Sequence, residues 1–414
     1  MDRVSTNLPN DNMQYYTRQR QVDMSELQDK MATQSRIQNL RDDPAAASHA
    51  TRYASYNVRL ERYSDNMQMA INTYNTTETN MRQALDIMQE VRQLAVQGAN
   101  GTYTPDELKH MATQVDEYLK QMLLVANAIG GDGTTVFAGE RTKNLPFRVV
   151  EGTLPGTDKT VITGVEYMGN IGVKQTEISD NHYVETSFPG NQVFWAENQR
   201  IFAARDATNY VVTANSTVAI DGVPIELRQG DNIYAIINKI NSSKTAVKAR
   251  LDPAQNSLVL ETTTPHQLWL NDQNGKVLQD LGIVRDGGSP SPLNLAKDAS
   301  RFGGSLFDSL ISLRDHLQRG DQINVGGDVL AGLDSGMGNL LSNLGSLGAK
   351  SSRVQLAFKN NEKMIPDMKQ RLSIETDLDM TKAITDYKLM ELTHEAALST
   401  AAKVLRPSLL DFMR

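Results

Sequence analysis

Between Arg41 and Gly101, apolar and polar residues alternate at spacings of three and four. Leu60, Met67, Ile71, Tyr74, Met81, Leu85, Met88 and Ala95 lie on one track, which Ser64, Glu78 and Arg92 interrupt. Such a repeat, held for about five heptads, predicts a long helix wound against partners. Its start is marked by a helix entry cap. Asp43 can accept free backbone N–H groups as N-cap, and Pro44 suits the first helical position, where its missing N–H had no partner. At ~1.5 Å per residue the helix would be roughly 80 Å long, more than a compact domain needs. A left-handed cap at Asn100-Gly101 is expected to end it. A bundle core and a rod in an extended assembly both fit this pattern.

A second helix begins at Thr104-Pro105-Asp106-Glu107, which reads as a capping box. Leu108, Met111, Val115, Leu119, Met122, Ala126 and Ile129 form its apolar face. The short turn before it predicts an antiparallel hairpin. Gly130-Gly131-Asp132-Gly133 then ends it, on the wrong side of a helix for a phosphate cradle.

From Thr134 the texture changes. Val149-Val150, Val161-Ile162, Val193-Phe194-Trp195 and Tyr210-Val211-Val212 read as short strands between Gly, Asp and Asn turns. Asn274-Gly275, between Leu268-Trp269-Leu270 and Val277-Leu278, is a two-residue hairpin signal. Asn232–Asn241 is the one helix expected here, with Ile233, Ile236, Ile237 and Ile240 on one side. Residues 140–295 thus read as an inserted β-rich region whose two parts meet near Arg200.

Helical spacing returns at Leu306, Leu310, Leu313 and Leu317, closed by Gly320. Leu333, Met337, Leu340, Leu344 and Leu347 keep it among glycines, each costing about 1 kcal/mol against Ala inside a helix. From Ser351 the helix is clear, and Pro366 is expected to kink or divide it. Ala383, Tyr387, Met390, Ala397, Ala401 and Val404 stripe a last helix that stops at Arg406-Pro407. At the other end, Met13, Met24, Leu27 and Met31 form only a thin stripe in a Gln- and Arg-rich segment. It buries too little alone to offset its ordering entropy, so folding on assembly is expected, with plain disorder as the alternative.

The fold class is therefore α+β: a long antiparallel helical bundle or coiled coil built from both chain ends, with a β-rich region inserted in the middle. Three parts are expected. Residues 1–40 with 370–414 form a terminal coiled-coil region, disordered in the monomer. Residues 41–140 with 296–369 form a long-helix rod, and 141–295 form the insertion. The 414 residues suffice for two to four domains. A net charge of −7 offers neither a nucleic-acid footprint nor a basic membrane patch. There are no cysteines, which removes disulfides, thiolate metal sites and Cys nucleophiles. The first thirty residues lack an apolar core, so no cleaved signal peptide is expected, and no run is long enough to span a membrane.

Candidate chemistry is sparse. His49, His110, His182, His266, His316 and His394 show no metal-ligand spacing, so no metal and no cofactor are expected. His394, on an apolar stripe, reads as a packed or interface residue. Walker, nucleophile-elbow and zincin motifs are absent, and no catalytic residues are assigned.

Several motifs carry a resemblance. Arg3-Val4-Ser5-Thr6-Asn7, Leu40-Arg41-Asp42-Asp43-Pro44-Ala45-Ala46-Ala47 and the finish Leu409-Leu410-Asp411-Phe412 are similar to the flagellin-like axial proteins. Leu94-Ala95-Val96-Gln97 is shared with flagellins generally. Val136-Phe137-Ala138-Gly139 followed by Pro146-Phe147 resembles the members that join hook to filament. Asp221-Gly222-Val223-Pro224-Ile225, Ile236-Ile237-Asn238-Lys239-Ile240-Asn241 and Leu258-Val259-Leu260 look like the flagellin IN-motif module, at about 205–285.

This resemblance implies a structural, non-enzymatic subunit of the bacterial flagellum that polymerises into a short junction ring. Implied partners are further copies of itself, neighbouring hook-associated and flagellin subunits, and an export chaperone on the C-terminal helix, with no nucleic acid and no membrane. Met24, Leu27, Met31, Met390, Leu398, Leu405, Leu409, Leu410 and Phe412 are the expected subunit-packing residues. A filament subunit and a coiled-coil binding protein unrelated to flagella are the alternatives.

Overall fold

The structure, a computed structural model, describes residues 8–153, 160–285 and 290–404. Helix α1 (Leu8–Thr33) leads through a turn to α2 (Pro44–Gly98). Asp43 caps α2 as expected, its Oδ1 accepting the Ala46 N–H at 3.0 Å. The α2 seam is more regular than the sequence reading. Leu60, Tyr63, Met67, Ala70, Tyr74, Thr77, Met81, Ala84, Met88, Val91 and Ala95 are buried, an unbroken alternation of three and four. Ser64, Glu78 and Arg92 lie one place off that line, so nothing polar interrupts it except Thr77. Its hydroxyl is satisfied by donating to the Thr73 carbonyl at 2.8 Å. The helix ends at Gly98, not at Gly101, which has no left-handed backbone.

Helix α3 (Pro105–Ala126) has the expected capping box: the Thr104 N–H donates to Glu107 Oε2 at 2.7 Å and the Glu107 N–H donates back to Thr104 Oγ1 at 3.4 Å. Asn127 caps its end, which leaves Ile129 beyond the helix and exposed rather than on its apolar face.

Strands β1 (Phe147–Thr153) and β2 (Thr160–Tyr167) form one antiparallel pair, and β3 (Gln175–Ser179) and β4 (His182–Glu185) another. The turn α4 (Gly190–Val193) follows Pro189, so Val193-Phe194-Trp195 is not a strand. Phe194 instead packs edge-on to Phe137, at 4.9 Å between ring centroids, and against Phe147 and Phe307. β5 (Arg200–Ala203) opens the second part of the insertion at the residue expected. It continues through β6 (Ser216–Ile220), β7 (Val223–Leu227), α5 (Ile233–Asn241), β8 (Val247–Leu251), β9 (Leu258–Thr262), β10 (Leu270–Asn274), α6 (Val277–Asp280) and β11 (Ala299–Phe302).

Two sheets, β11-β5-β9-β8 and β10-β6-β7, share one apolar cluster that includes Ile201, Val218, Ile225, Ile236, Leu260 and Leu270. Tyr210-Val211-Val212 contributes only a single bridge, Val211 to Asn232, closed by the Val212 N–H donating to the Asp231 carbonyl at 2.9 Å. Asn274-Gly275 does not make a hairpin. Asp272 accepts the N–H groups of Leu278 and Gln279, both at 3.1 Å, so the chain winds into α6 while β10 pairs with β6.

Helix α7 (Leu306–Arg319) buries all four predicted leucines, packs along α3, and ends at left-handed Gly320. The short turn α8 (Gln322–Asn324) and a π-turn at Val325–Val329 precede α9 (Leu330–Thr376), followed by α10 (Met380–Val404). Pro366 does not divide α9. Pro366 and Glu362, whose carbonyl loses its helical partner, are both exposed, so water can replace the missing bond. The break falls at Asp377–Asp379 instead, where Asp379 Oδ1 accepts the N–H groups of Thr381 and Lys382. The chain divides into two compact units, Met1–Asp65 with Phe358–Arg414, and Asn66–Ala357.

Candidate assembly surface

In the first unit, α1 and α10 pack together, so the two ends of the chain meet as expected. The Arg20 guanidinium donates to the Thr393 carbonyl at 3.1 Å across the pair. Met24, Leu27 and Met31 are half-buried, and so is Met390. Leu398 is 46% exposed. Leu405, Leu409, Leu410 and Phe412 lie outside the described residues.

The helix pair is only partly covered by its own chain. No side chain of α1 described from Asp11 onward is buried, and Ala383 alone is buried among those described in α10. The α2 seam, by contrast, is closed. Tyr15, Tyr16 and Val22 on α1, with Ile384, Leu389 and Leu392 on α10, add exposed apolar surface that the stripe reading did not include. They fall off the 4-3 track, and only the unusual number of apolar residues on otherwise polar faces signalled them.

The turn between α1 and α2 is held electrostatically. Backbone N–H groups of Asn39 and Gln38 hold the Asp42 carboxyl below its usual range. The Ala46 N–H and then the Arg36 guanidinium do the same for Asp43.

The second unit has an open cleft lined by amides and hydroxyls, among them Asn191, Gln192, Asn339 and Ser342, together with His266 and Asp221. His266 is buried between the Asp221 carboxylate at 3.0 Å and the Thr264 carbonyl at 2.8 Å. The other Asp221 oxygen accepts the Trp269 N–H at 3.0 Å. The pair thus fixes a turn in which Asp221 has φ +50°. Among the described residues no cluster of His, Asp or Glu could hold a metal ion, and no helix is long and apolar enough to cross a membrane.

These features meet two family descriptions. Residues 4–142 match the bacterial flagellin N-terminal helical region, and residues 210–264, which hold β6 to β9, match the flagellin hook IN motif. The chain thus carries two regions of the flagellin family and is similar through them to structural components of the bacterial flagellum. It is similar to flagellar hook-associated protein 3 of Salmonella typhimurium, at 27% identity over 70% of this chain and 85% of the relative. The Escherichia coli protein of the same name is 24% identical over 51% of this chain and 65% of its own length. Flagellin of Listeria monocytogenes is 29% identical, over 30% of this chain and 44% of that protein. The crystal structure of flagellar hook-associated protein 3 from Legionella pneumophila aligns with 78% of this chain and 97% of its own, at 16% identity and a TM-score of 0.48.

Proposed function

We propose that this chain is the structural subunit that joins hook to filament, polymerising into a short junction ring and catalysing nothing. One observation carries the reading: the α1–α10 pair leaves its apolar stripe half-covered in a single chain while the α2 seam is closed. Neighbouring subunits would finish that burial. At ~25 cal/mol per Å² of apolar area, an interface of about 2,000 Å² gives ample gross stabilisation, much of it offset by ordering the ends. Met24, Leu27, Met31, Met390 and Leu398 are the packing residues among those described, with Leu405, Leu409, Leu410 and Phe412 completing the surface.

The functional division follows the three parts expected from the sequence: 1–40 with 370–414 for assembly, 41–140 with 296–369 as rod, and 141–295 as outer region. The chain reaches the flagellum by export without a cleaved signal peptide, its C-terminal helix held meanwhile by a chaperone. Its neighbours in the assembly are copies of itself, hook-associated protein and flagellin.

Deletion of the gene with immunogold labelling of the complemented strain tests this. The expected result is a single band of label at the hook–filament boundary, with unattached flagellin in the medium of the deletion strain. Label along the whole filament would make the chain a filament subunit. Attached filaments in the deletion strain would refute the junction role.

A further inference from the structure

Helix α1 stops at Thr33 and α9 at Thr376, and neither break contains a glycine or proline. The two breaks are joined to each other. The Arg36 N–H donates to the Thr376 carbonyl at 2.7 Å and the Leu378 N–H to the Gln34 carbonyl at 3.0 Å, with Ser35 and Asp377 facing each other as an antiparallel bridge. Arg36 spans the arrangement, its Nη1 donating to Asp43 Oδ2 at 3.0 Å and its Nη2 to the Glu375 carbonyl at 2.9 Å, beside the Ser35 hydroxyl, 3.4 Å from the Thr376 carbonyl, and His49 Nδ1, 3.2 Å from Glu375 Oε1. The Arg36 guanidinium therefore links its own turn to both the N-cap of α2 and the last turn of α9. Gln34 meanwhile sits at φ +54°, a left-handed conformation that L side chains other than Asn and Asp seldom adopt. Local sequence does not ask for this turn. Thr33 to Leu40 could continue as right-handed helix, since the next proline is Pro44.

We propose that Arg36 is the latch of a two-position hinge. With the latch engaged, the paired breaks turn as one, and α1 and α10 reorient as a single arm. With it released, Gln34 returns to the right-handed region and α1 runs on toward Leu40. This holds whether or not the chain forms the junction ring, because it rests only on contacts within the first unit.

The absence of native cysteines allows clean labelling. Spin labels at Ser25→Cys on α1 and Ser55→Cys on α2, in the full chain, report the hinge through a double electron–electron resonance distance distribution. The expected result is one narrow distribution with Arg36 present. Arg36→Ala should widen it about twofold and speed exchange of the Leu378 amide about tenfold, as for loss of a charged hydrogen bond. Adding Gln34→Gly to Arg36→Ala should narrow it again, because glycine takes the left-handed turn without strain. General loosening of the arm would give no such rescue. An Arg36→Ala distribution as narrow as the parent's, or a widening that Gln34→Gly leaves unchanged, overturns the latch.

Discussion

Leu27→Ala separates burial within one chain from burial between chains. Leu27 is half-buried in α1, whereas Leu340, in α9, is fully buried. Full burial of a leucine is worth ~2–3 kcal/mol, so truncating a half-covered one should cost the free protein about 1 kcal/mol, all of it within the terminal helix pair. Leu340→Ala should cost ~2–5 kcal/mol, since it opens a cavity in a closed core. Calorimetry of the purified protein should therefore show the main transition several degrees lower for Leu340→Ala and nearly unmoved for Leu27→Ala. In the assembled structure the cost of Leu27→Ala should grow, whereas that of Leu340→Ala should not. On the proposed assembly a neighbour would cover the rest of the Leu27 surface, and the further ~1–2 kcal/mol lost per subunit would amount to roughly a tenfold loss of affinity. Co-expression with the parent protein, followed by mass spectrometry of isolated flagella, measures this as the fraction of variant incorporated. A Leu27→Ala protein that melts as early as Leu340→Ala, or that incorporates equally with the parent, would refute the claim that α1 is completed by neighbours.

Arg314 is buried, with Nη1 3.2 Å from Asp116 Oδ1 and 2.8 Å from the Ile162 carbonyl. Arg314→Ala strands the Ile162 carbonyl and removes one of the two cations on Asp116, which keeps Lys120 at 3.1 Å, and should cost ~1–3 kcal/mol, read as a lower denaturation midpoint. Glu107→Ala removes one half of the α3 capping box and should cost about 1 kcal/mol in urea unfolding. The turn carboxyls Asp42 and Asp43 titrate below their ordinary value of 3.8, so their stabilisation is complete above that value and fades as pH falls through the lowered one. Faster exchange of the Gln38, Asn39 and Ala46 amides in acid, ahead of global unfolding, is the expected sign. Burial raises Asp272, so its contribution runs the other way: present in acid, it is lost as pH rises through the raised value.

What could be read from the chain was whatever local chemistry decides. Asp43-Pro44, Thr104 with Glu107, and Gly320 specify helix ends through groups a few residues apart, and each acts as its chemistry requires. The phase of the α2 seam was legible only in part. Large residues suggested Ile71 and Leu85 as seam positions, but the buried positions one place earlier are Ala70 and Ala84. Small side chains give little hydrophobic signal, yet they set the seam. Misread strands have a related cause. Val193-Phe194-Trp195 and Asn274-Gly275 are strand- and hairpin-like in isolation, but Pro189 and the Asp272 carboxylate redirect the backbone from outside the motif.

The turn at Gln34 and the break at Asp377 show the limit most directly, since each exists because of the other. Their partners are over three hundred residues apart in the sequence, joined by bonds between backbone groups that every residue possesses. No residue type encodes such a pairing, apart from the charged Arg36 side chain that spans it. The assembly surface is the same problem one level up. Met24, Leu27 and Met31 were visible as a stripe, but a thin stripe reads alike for a weak helix and for half of an interface. Coverage is what supports the proposed interface: the stripe is packed on α10 and still half open, whereas the α2 seam is closed. A stripe left half open by its own chain is the surface on which a neighbouring subunit can act.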